Sequence, residues 1–284
     1  MPSPPITRFA PSPTGLIHLG HAYSAWLNHD RAVHHGGRFI LRIEDIDQGR
    51  SRPEYEQSLY QDLAWLGLKW DTDVWRQSER IDLYRATLDG LQRRGLLYRC
   101  FKTRAELSAL ASAPHGPEEN VPITAPLGAE EEQALLETGR SFAWRLHVKS
   151  ALEAINADTL PAQIENPDGS ITERSVLLSG LSDPVLARKD FPTSYHLASV
   201  VDDAAHGINL VWRGTDLEDA LPLHRLLQAL LALPAPTYRH HALIMGPDGK
   251  RLAKRDRGET IQALRESGAT PAQLRQRLGL PLAP

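Results

Sequence analysis

The stretch FAPSPTGLIHLGHAYSAW, residues 9–26, carries the reading of the fold. Its first residues close a short strand candidate, ITRFA (6–10). PSPTG then supplies turn chemistry, because proline fixes φ and glycine permits positive φ. From Leu19 to His34 the apolar positions Leu19, Ala22, Trp26, Leu27 and Val33 approximate one helical face, and Gly36-Gly37 stops it. RFILRIEDID (38–47) follows as a buried strand with an acidic carboxyl end. A strand, a crossover helix and a second strand in so short a span imply a right-handed parallel β-α-β unit. Ligands of such sheets sit beyond the carboxyl ends of the strands. Both APSPTG and EDID fall there.

Working outward, Pro53 to Leu97 reads as helical, with Tyr55, Leu59, Leu63 and Leu66 at helical spacing and Ser78 as an N-cap for a helix ending at Gly95. The segment from about Tyr98 to Lys189 differs. It holds a loop rich in proline and small residues (111–128) and short strand candidates in SFAWRLHV and SVLLSGL. It is expected to form an inserted α+β subdomain. TSYHLASVVDDAAHGINLVWRGTDL (193–217) returns to the parallel sheet with a helix or strand at Tyr195 to Val201 and a strand at INLVWRG. A helix over EDALPLHRLLQALLALP, a strand beginning in HALIMG and a basic loop follow. Thr270 caps a last helix with Pro271 at its first position. The expected organisation is α/β: 1–98 the first half of a parallel-sheet core, 99–189 the insertion, 190–258 the second half, and 259–284 a short helical tail.

Composition bounds the function. The 284 residues carry a formal net charge of −3, which argues against a broadly basic nucleic-acid binder but leaves room for a local basic patch. No apolar run is long enough to span a bilayer, and MPSPPITRFAPSP has no secretory pattern. The single cysteine, Cys100, excludes an internal disulfide framework. A cytoplasmic location is expected, and nothing calls for more than a monomer.

Two constellations carry chemistry. HLGH, His18 to His21, sits in the first turn of a helix, where unpaired N–H groups and the dipole attract anions. The imidazoles add donors for phosphate oxygens, and Gly20 allows close approach. Two surface histidines on an ordinary helix start are the bland alternative. The second constellation is GKRLAKRDRG, 249–258, whose five cationic side chains suit a loop closing over a triphosphate, or else a solvated basic loop.

HLGH resembles the HIGH signature of class I aminoacyl-tRNA synthetases, and RLAKR (Arg251 to Arg255) resembles their KMSKS loop. TRFAPSPTGLIHLGHA, LRIEDID, YHLASVVDD and LVWRGTDL narrow the likeness to the glutamyl-tRNA synthetase group. The resemblance spans Thr7 to Arg257 and is weakest over about Lys102 to Leu186. It implies a Rossmann-type catalytic core. It implies that Pro11, Thr14, Gly15, His18, Gly20, His21, Arg251, Leu252 and Lys254 bind ATP, with His18, His21 and Lys254 stabilising phosphate charge beside Mg2+. It implies that Arg8, Ala10, Ser12, Glu44, Tyr195 and Arg213 bind glutamate: Arg8 holds a carboxylate, Glu44 the α-ammonium, and Tyr195 and Arg213 the side-chain carboxylate. Ordinary ion pairs, a strand-end acid and a core aromatic are the alternatives at these positions.

Two departures stand out. Ala253 replaces the signature serine and Arg251 its first lysine, which keeps the charge and loses a hydroxyl. YRCFKTRAEL keeps only Cys100 where related short enzymes carry a cysteine-rich zinc site, so no structural zinc is expected; His115, His34-His35 and His240-His241 also lack a convincing ligand set. The sequence ends soon after the basic loop, where discriminating glutamyl-tRNA synthetases continue into an anticodon-binding region. That architecture is similar to the glutamyl-queuosine tRNA(Asp) synthetase family, which implies L-glutamate, ATP and queuosine-containing tRNA(Asp) as partners. A truncated enzyme charging a tRNA 3′ end, a small-molecule ligase and a non-catalytic RNA-binding relative are the rivals.

Overall fold

β1 (Ile6–Phe9), α1 (Leu19–His34) and β2 (Arg38–Ile43) form the expected unit in the computed structural model, which describes residues 3–103, 105–107, 124–188, 192–244 and 260–282. β1 and β2 pair in parallel, with Ile6 opposite Arg38 and Phe9 opposite Leu41. β3 (Trp75–Arg76) adds a third parallel strand beside Arg42 and Ile43. Helix α1 buries Leu19, Ala22, Ala25, Trp26 and Ala32. A fully buried large apolar side chain such as Trp26 contributes about 1.5–3 kcal/mol. Val33 lies off that face and is exposed, while Ala32 beside it carries the buried stripe into the last turn. Gly36, at φ 61°, ends the helix in a conformation that side-chain-bearing residues avoid.

The parallel sheet is not continuous. β9 (Leu210–Gly214) and β10 (Thr237–His241) pair in parallel in a second sheet, whose order is β7-β6-β10-β9. β6 (Thr159–Glu165) meets β10 in parallel at Ile164–Tyr238, and β7 (Ile171–Leu177) turns back antiparallel on β6. The segment read as an insertion is therefore shared. Its β6–β7 hairpin extends the sheet of the second half, while β4 (Leu97–Cys100), β5 (Ala143–Leu146) and β8 (Val185–Arg188) form a separate antiparallel sheet. No regular ladder joins β1 to β9; one backbone bond, from the Asn209 N–H to the Ile6 carbonyl at 3.2 Å, and side chains from Asn209 and from Asn28 of α1 hold the two halves together. The Ile6 N–H donates to Asn209 Oδ1 at 2.6 Å, and Asn28 Nδ2 donates to the Trp212 carbonyl at 2.9 Å.

Helices α2 (Pro53–Trp65) and α3 (Ile81–Arg93) follow β2. Ser78 does not cap α3. It lies in a 3-10 turn at Gln77–Arg80, and its N–H and hydroxyl both donate to Asp45, at 2.8 and 2.6 Å. α4 (Ala129–Glu137) and α5 (Val148–Ile155) belong to the middle segment. Tyr195 opens α6 (Tyr195–Ala205), which settles the choice between helix and strand there, and α7 (Leu221–Leu230) packs against it. The strand expected in HALIMG lies upstream, in Thr237–His241. α8 (Ile261–Glu266) and α9 (Pro271–Arg277) complete the described chain, with Thr270 and Gln273 forming a capping box.

The last two helices dock on the first β-α-β unit. Ile261 and Leu274 share one apolar cluster with Leu19, Trp26, Leu59 and Leu63. Arg275 makes a buried two-pronged pair with Asp30 of α1, at 2.7 and 2.9 Å. On the neighbouring face Asp62 of α2 is fully buried, 3.1 Å from Arg265 of α8. Burial pushes its carboxyl up from 3.8 to about 6, against the pull of Arg265. A carboxyl whose folded value is raised holds its proton more tightly in the folded chain. The associated stability is full below the unfolded value and is lost as pH rises through 6. Asp62→Asn should therefore raise stability at pH 8 by roughly 2 kcal/mol, with the gain vanishing at pH 4; urea midpoints at the two pH values check this.

Candidate active site

The loop from β1 to α1 is strapped in place by its backbone. The Glu44 N–H donates to the Pro11 carbonyl and the Arg52 N–H to the Pro13 carbonyl, each at 3.0 Å. This binds the PSPTG turn to the carboxyl end of β2 and the start of α2. His18 then occupies the N-cap of α1 with extended backbone. Its Nδ1 accepts from the Gly20 N–H at 3.2 Å, and His21 Nδ1 accepts from the His18 N–H at 3.2 Å. A ring nitrogen that accepts carries no proton, so both imidazoles are neutral tautomers protonated on Nε2. The rings lie 3.9 Å apart, centre to centre. The cap thus uses Nδ1 of both rings and leaves their protons on Nε2. Gly20 has a further use: a Cβ there would come within 3.1 Å of the His18 ring, which folds over the glycine.

His18, Gly20 and His21 border a cleft of about 230 Å³, with Gly214, Asp216 and His241 opposite. The edge of the cleft holds both ends of the basic loop. Leu243 and Ile244 line the cleft, Thr260 bridges to His18, and the Ile261 N–H donates to the Ile17 carbonyl at 2.9 Å. Arg251, Leu252 and Lys254 lie outside the described residues, as does His115. At Gly214 an added methyl would overlap Asp216 Oδ1 and sit 2.9 Å from Leu243 Cδ2. With this cleft as the expected nucleotide site, Gly214→Ala should raise the KM for ATP about tenfold while lowering stability by no more than about 1–3 kcal/mol, because overpacking here falls on the cleft wall. Steady-state kinetics and a thermal melt separate the two effects.

A larger cavity of about 1130 Å³ opens beside this cleft. Ser12, Thr14, Glu44 and Tyr195 line it, together with Arg188 and His196. Thr14, expected at ATP, thus faces the same space as Ser12, Glu44 and Tyr195, whereas Arg8 and Arg213 are not among its lining residues. Ala10, Pro11 and Gly15 are not among its lining residues. Pro11 is buried and acts through its carbonyl.

Behind the cavity lies a buried layer of charge. Arg42 is fully buried. Its Nη1 donates to Asp203 at 2.7 Å, its Nη2 to Glu44 at 3.0 Å, and Asp202 is 3.8 Å from its Nε. Asp202 also accepts from Arg80, Tyr84 and Gln77. Arg8 turns its Nε toward Asp203 at 3.3 Å, so the ion-pair alternative holds for that nitrogen. Burial alone would raise the Asp203 carboxyl, but Arg8 and Arg42 hold it below its ordinary value. Burial pushes the Glu44 carboxyl up, opposed by Arg42. Glu44 is thus a positioned anion at the cavity wall, held by the adjacent buried cation.

Arg213 is only 3% exposed and has a different setting. Its Nε donates to His240 Nε2 at 3.2 Å and its Nη1 meets His224 Nδ1 at 3.3 Å. Its Nη2 is buried without a hydrogen-bond partner. A buried guanidinium nitrogen without a partner is costly, so Nη2 leaves Arg213 able to take one further acceptor. Arg8, Glu44, Tyr195 and Arg213 lie within electrostatic reach of one another.

Sequence reasoning missed Arg42, Asp202, Asp203, His196 and His224. A signal for the first lay in RFILRIE, where a charged residue interrupts a buried strand. Among the described residues no three His, Cys, Asp or Glu side chains are grouped to hold a metal, and no helix is long and apolar enough to cross a membrane.

Comparison with known proteins agrees with this geometry. Residues 6–281 match the family model described as tRNA synthetases class I (E and Q), catalytic domain. A glutamyl-Q tRNA(Asp) synthetase from Rhodobacter capsulatus is 44% identical over 282 residues, covering 97% of this chain and 100% of that protein. One from Symbiobacterium thermophilum is 42% identical, over 93% of this chain and 82% of that protein. The crystal structure of a glutamate tRNA ligase from Elizabethkingia meningosepticum in complex with its amino acid superposes with a TM-score of 0.72 at 31% identity. That match covers 89% of this chain and 52% of the ligase, so the chain spans about half the length of that structure. The capped histidine pair, the split parallel sheet and this match along almost the entire sequence lead to one conclusion: the chain belongs to the class I (E and Q) tRNA synthetase catalytic-domain family.

Proposed function

We propose that the protein activates L-glutamate with ATP and transfers it to the queuosine base in the anticodon of tRNA(Asp). The observation that carries this reading is the 44% identity along the whole length of a relative with that name. The site supports the amino-acid part independently. Arg213, a buried cation with an unused nitrogen, suits the side-chain carboxylate, and Tyr195 adds a hydroxyl beside it. Glu44, fixed by Arg42, suits the α-ammonium. Arg8 suits a carboxylate through its terminal nitrogens, its Nε being turned to Asp203. Ser12 lines the same wall, and Ala10 belongs to the adjoining loop.

In the first step the α-carboxylate of glutamate attacks the α-phosphorus of ATP, and pyrophosphate leaves as the glutamyl-adenylate forms. The Nε2–H donors of His18 and His21 are directed at the charge that develops on the phosphates. Gly20 and the Thr14-Gly15 turn shape the nucleotide side, and Mg2+ enters as counterion of the triphosphate. Arg251, Leu252 and Lys254, which lie outside the described residues, are given to the same phosphates on the resemblance of RLAKR to the KMSKS signature. In the second step a hydroxyl of the cyclopentene-diol of queuosine attacks the activated carbonyl, its proton passing to the adenylate phosphate, and AMP leaves.

The test is to incubate the protein with ATP and labelled glutamate, using tRNA from wild-type cells beside tRNA from cells unable to make queuosine. Label in the first sample alone is the expected result. Equal label in both moves the acceptor to the ordinary 3′ end, and label in neither overturns the transfer.

A further inference from the structure

Arg213 is a cation with no anion of its own. Among the described residues it forms no ion pair; Asp203 and Glu218 act on it only at a distance. Its fixed neighbours are imidazoles, and their order is dictated by chemistry. A guanidinium can only donate, so His224 Nδ1, 3.3 Å from Nη1, is an acceptor without a proton. His224 Nε2 therefore carries its proton and donates to His196 Nδ1 at 3.1 Å. His196, which borders the large cavity, is left protonated on Nε2. On the other side His240 Nε2 accepts from Arg213 Nε at 3.2 Å, which places its proton on Nδ1. Three elements contribute: His196 comes from α6, His224 from α7 and His240 from β10. Burial and the Arg213 charge hold all three histidines below their ordinary value, His240 at about 4, so all are neutral at pH 7.

A carboxylate at the His224 position would hold Arg213 equally well. It would also cancel the charge. Neutral acceptors fix the guanidinium in place and leave its charge uncompensated in a buried layer, where a missing counter-ion is costly. We propose that His224, seconded by His240 and tied to the cavity wall through His196, is a positioning residue that sets selectivity for a ligand bearing a side-chain carboxylate over the corresponding amide, by holding Arg213 without neutralising it. The inference rests on the glutamate reading above and deepens it. Glutamine would leave the Arg213 charge unmet, whereas glutamate supplies the one anion that the surroundings withhold.

The test compares glutamate- and glutamine-dependent ATP–pyrophosphate exchange in the wild type, H224N and H224D, with KM and kcat resolved. H224N offers a neutral oxygen near the Nδ1 position and should keep the glutamate KM within about threefold. H224D should raise the glutamate KM by at least about 30-fold with kcat largely held, because it removes ground-state binding. The glutamine KM should move far less, so the ratio of the two kcat/KM values narrows at least about tenfold. A structural role alone would not distinguish the two amino acids. If H224D fails to fold, H240D places the same carboxylate on the other side of the guanidinium at a half-buried strand position and is read by the same ratio. Exchange in the wild type with an unchanged ratio in the aspartate variant would overturn the inference alone. Absence of any glutamate-dependent exchange in the wild type would overturn the glutamate reading and the inference with it.

Discussion

Arg42→Met is expected to lower stability by about 3–5 kcal/mol, the cost of breaking a buried pair by removing one partner. The loss comes mainly from what remains behind. Glu44 and Asp203 each lose a direct hydrogen bond and Asp202 loses a cation 3.8 Å away, while all three stay buried. Arg8 and Arg80 still face Asp203 and Asp202, but neither reaches Glu44 by a direct bond. Domains of this kind are stable by only about 5–15 kcal/mol, so a loss of this size consumes much of the margin. Urea denaturation of the variant beside the wild type measures it. A change below about 1 kcal/mol would mean that the remaining arginines compensate the three carboxylates unaided. Glutamate binding should weaken with stability, because Glu44 reaches the cavity wall from the same cluster.

His21→Ala is expected to lower kcat for glutamate activation by about 10²–10³-fold, the usual effect of removing one preorganised donor from a developing oxyanion. Its cost to the fold is much smaller. The substitution breaks half of the reciprocal cap at the start of α1, worth about 1 kcal/mol. The KM for glutamate should hold within about threefold, since Ser12, Glu44 and Tyr195 line a separate cavity. This split between kcat and KM distinguishes phosphate chemistry from general damage. Pyrophosphate exchange at saturating glutamate is the measurement. A kcat within a factor of three of the wild type would leave the histidine pair with a capping role only.

The parts legible in the sequence were those with local causes. The β-α-β unit rested on helical spacing in Leu19–His34 and on proline and glycine at its turns, and the cap at Thr270 needed only its next three residues. The tautomers of His18 and His21 were not legible, although both residues were, because they depend on reciprocal bonds that only the folded cap creates. Arg42 and Asp203 stand 161 residues apart, and no local pattern announces such a pair. Ser78 misled because its capping hydroxyl found a better partner in Asp45, 33 residues upstream. The break between β1 and β9 was hidden for the same reason: Asn209, through its side chain and its own N–H, joins Ile6 at one point where a backbone ladder would be expected. His240 offered the sequence no convincing ligand set, and only β10 brings it to Arg213.

The docking of α8 and α9 on the first unit bears on how the protein comes into being. Residues 261 and 274 are made long after residues 19 and 26, yet they share a single apolar cluster, and Arg275 answers an aspartate 245 residues earlier. Throughout synthesis, then, Asp30 waits without its cation and one flank of Leu19 and Trp26 stays open to water. Contacts of such separation form slowly, since the intervening chain must first be brought to order. The helix that presents His18 and His21 is closed on its far side only after residue 275 has left the ribosome. A nascent chain halted before residue 260 would carry the histidine motif but lack the bridge from Thr260 to His18 that closes one edge of the smaller cleft. Competence for chemistry is thus delayed until almost the whole described chain is available, and a stalled fragment exposes a sticky helix face in place of an active one.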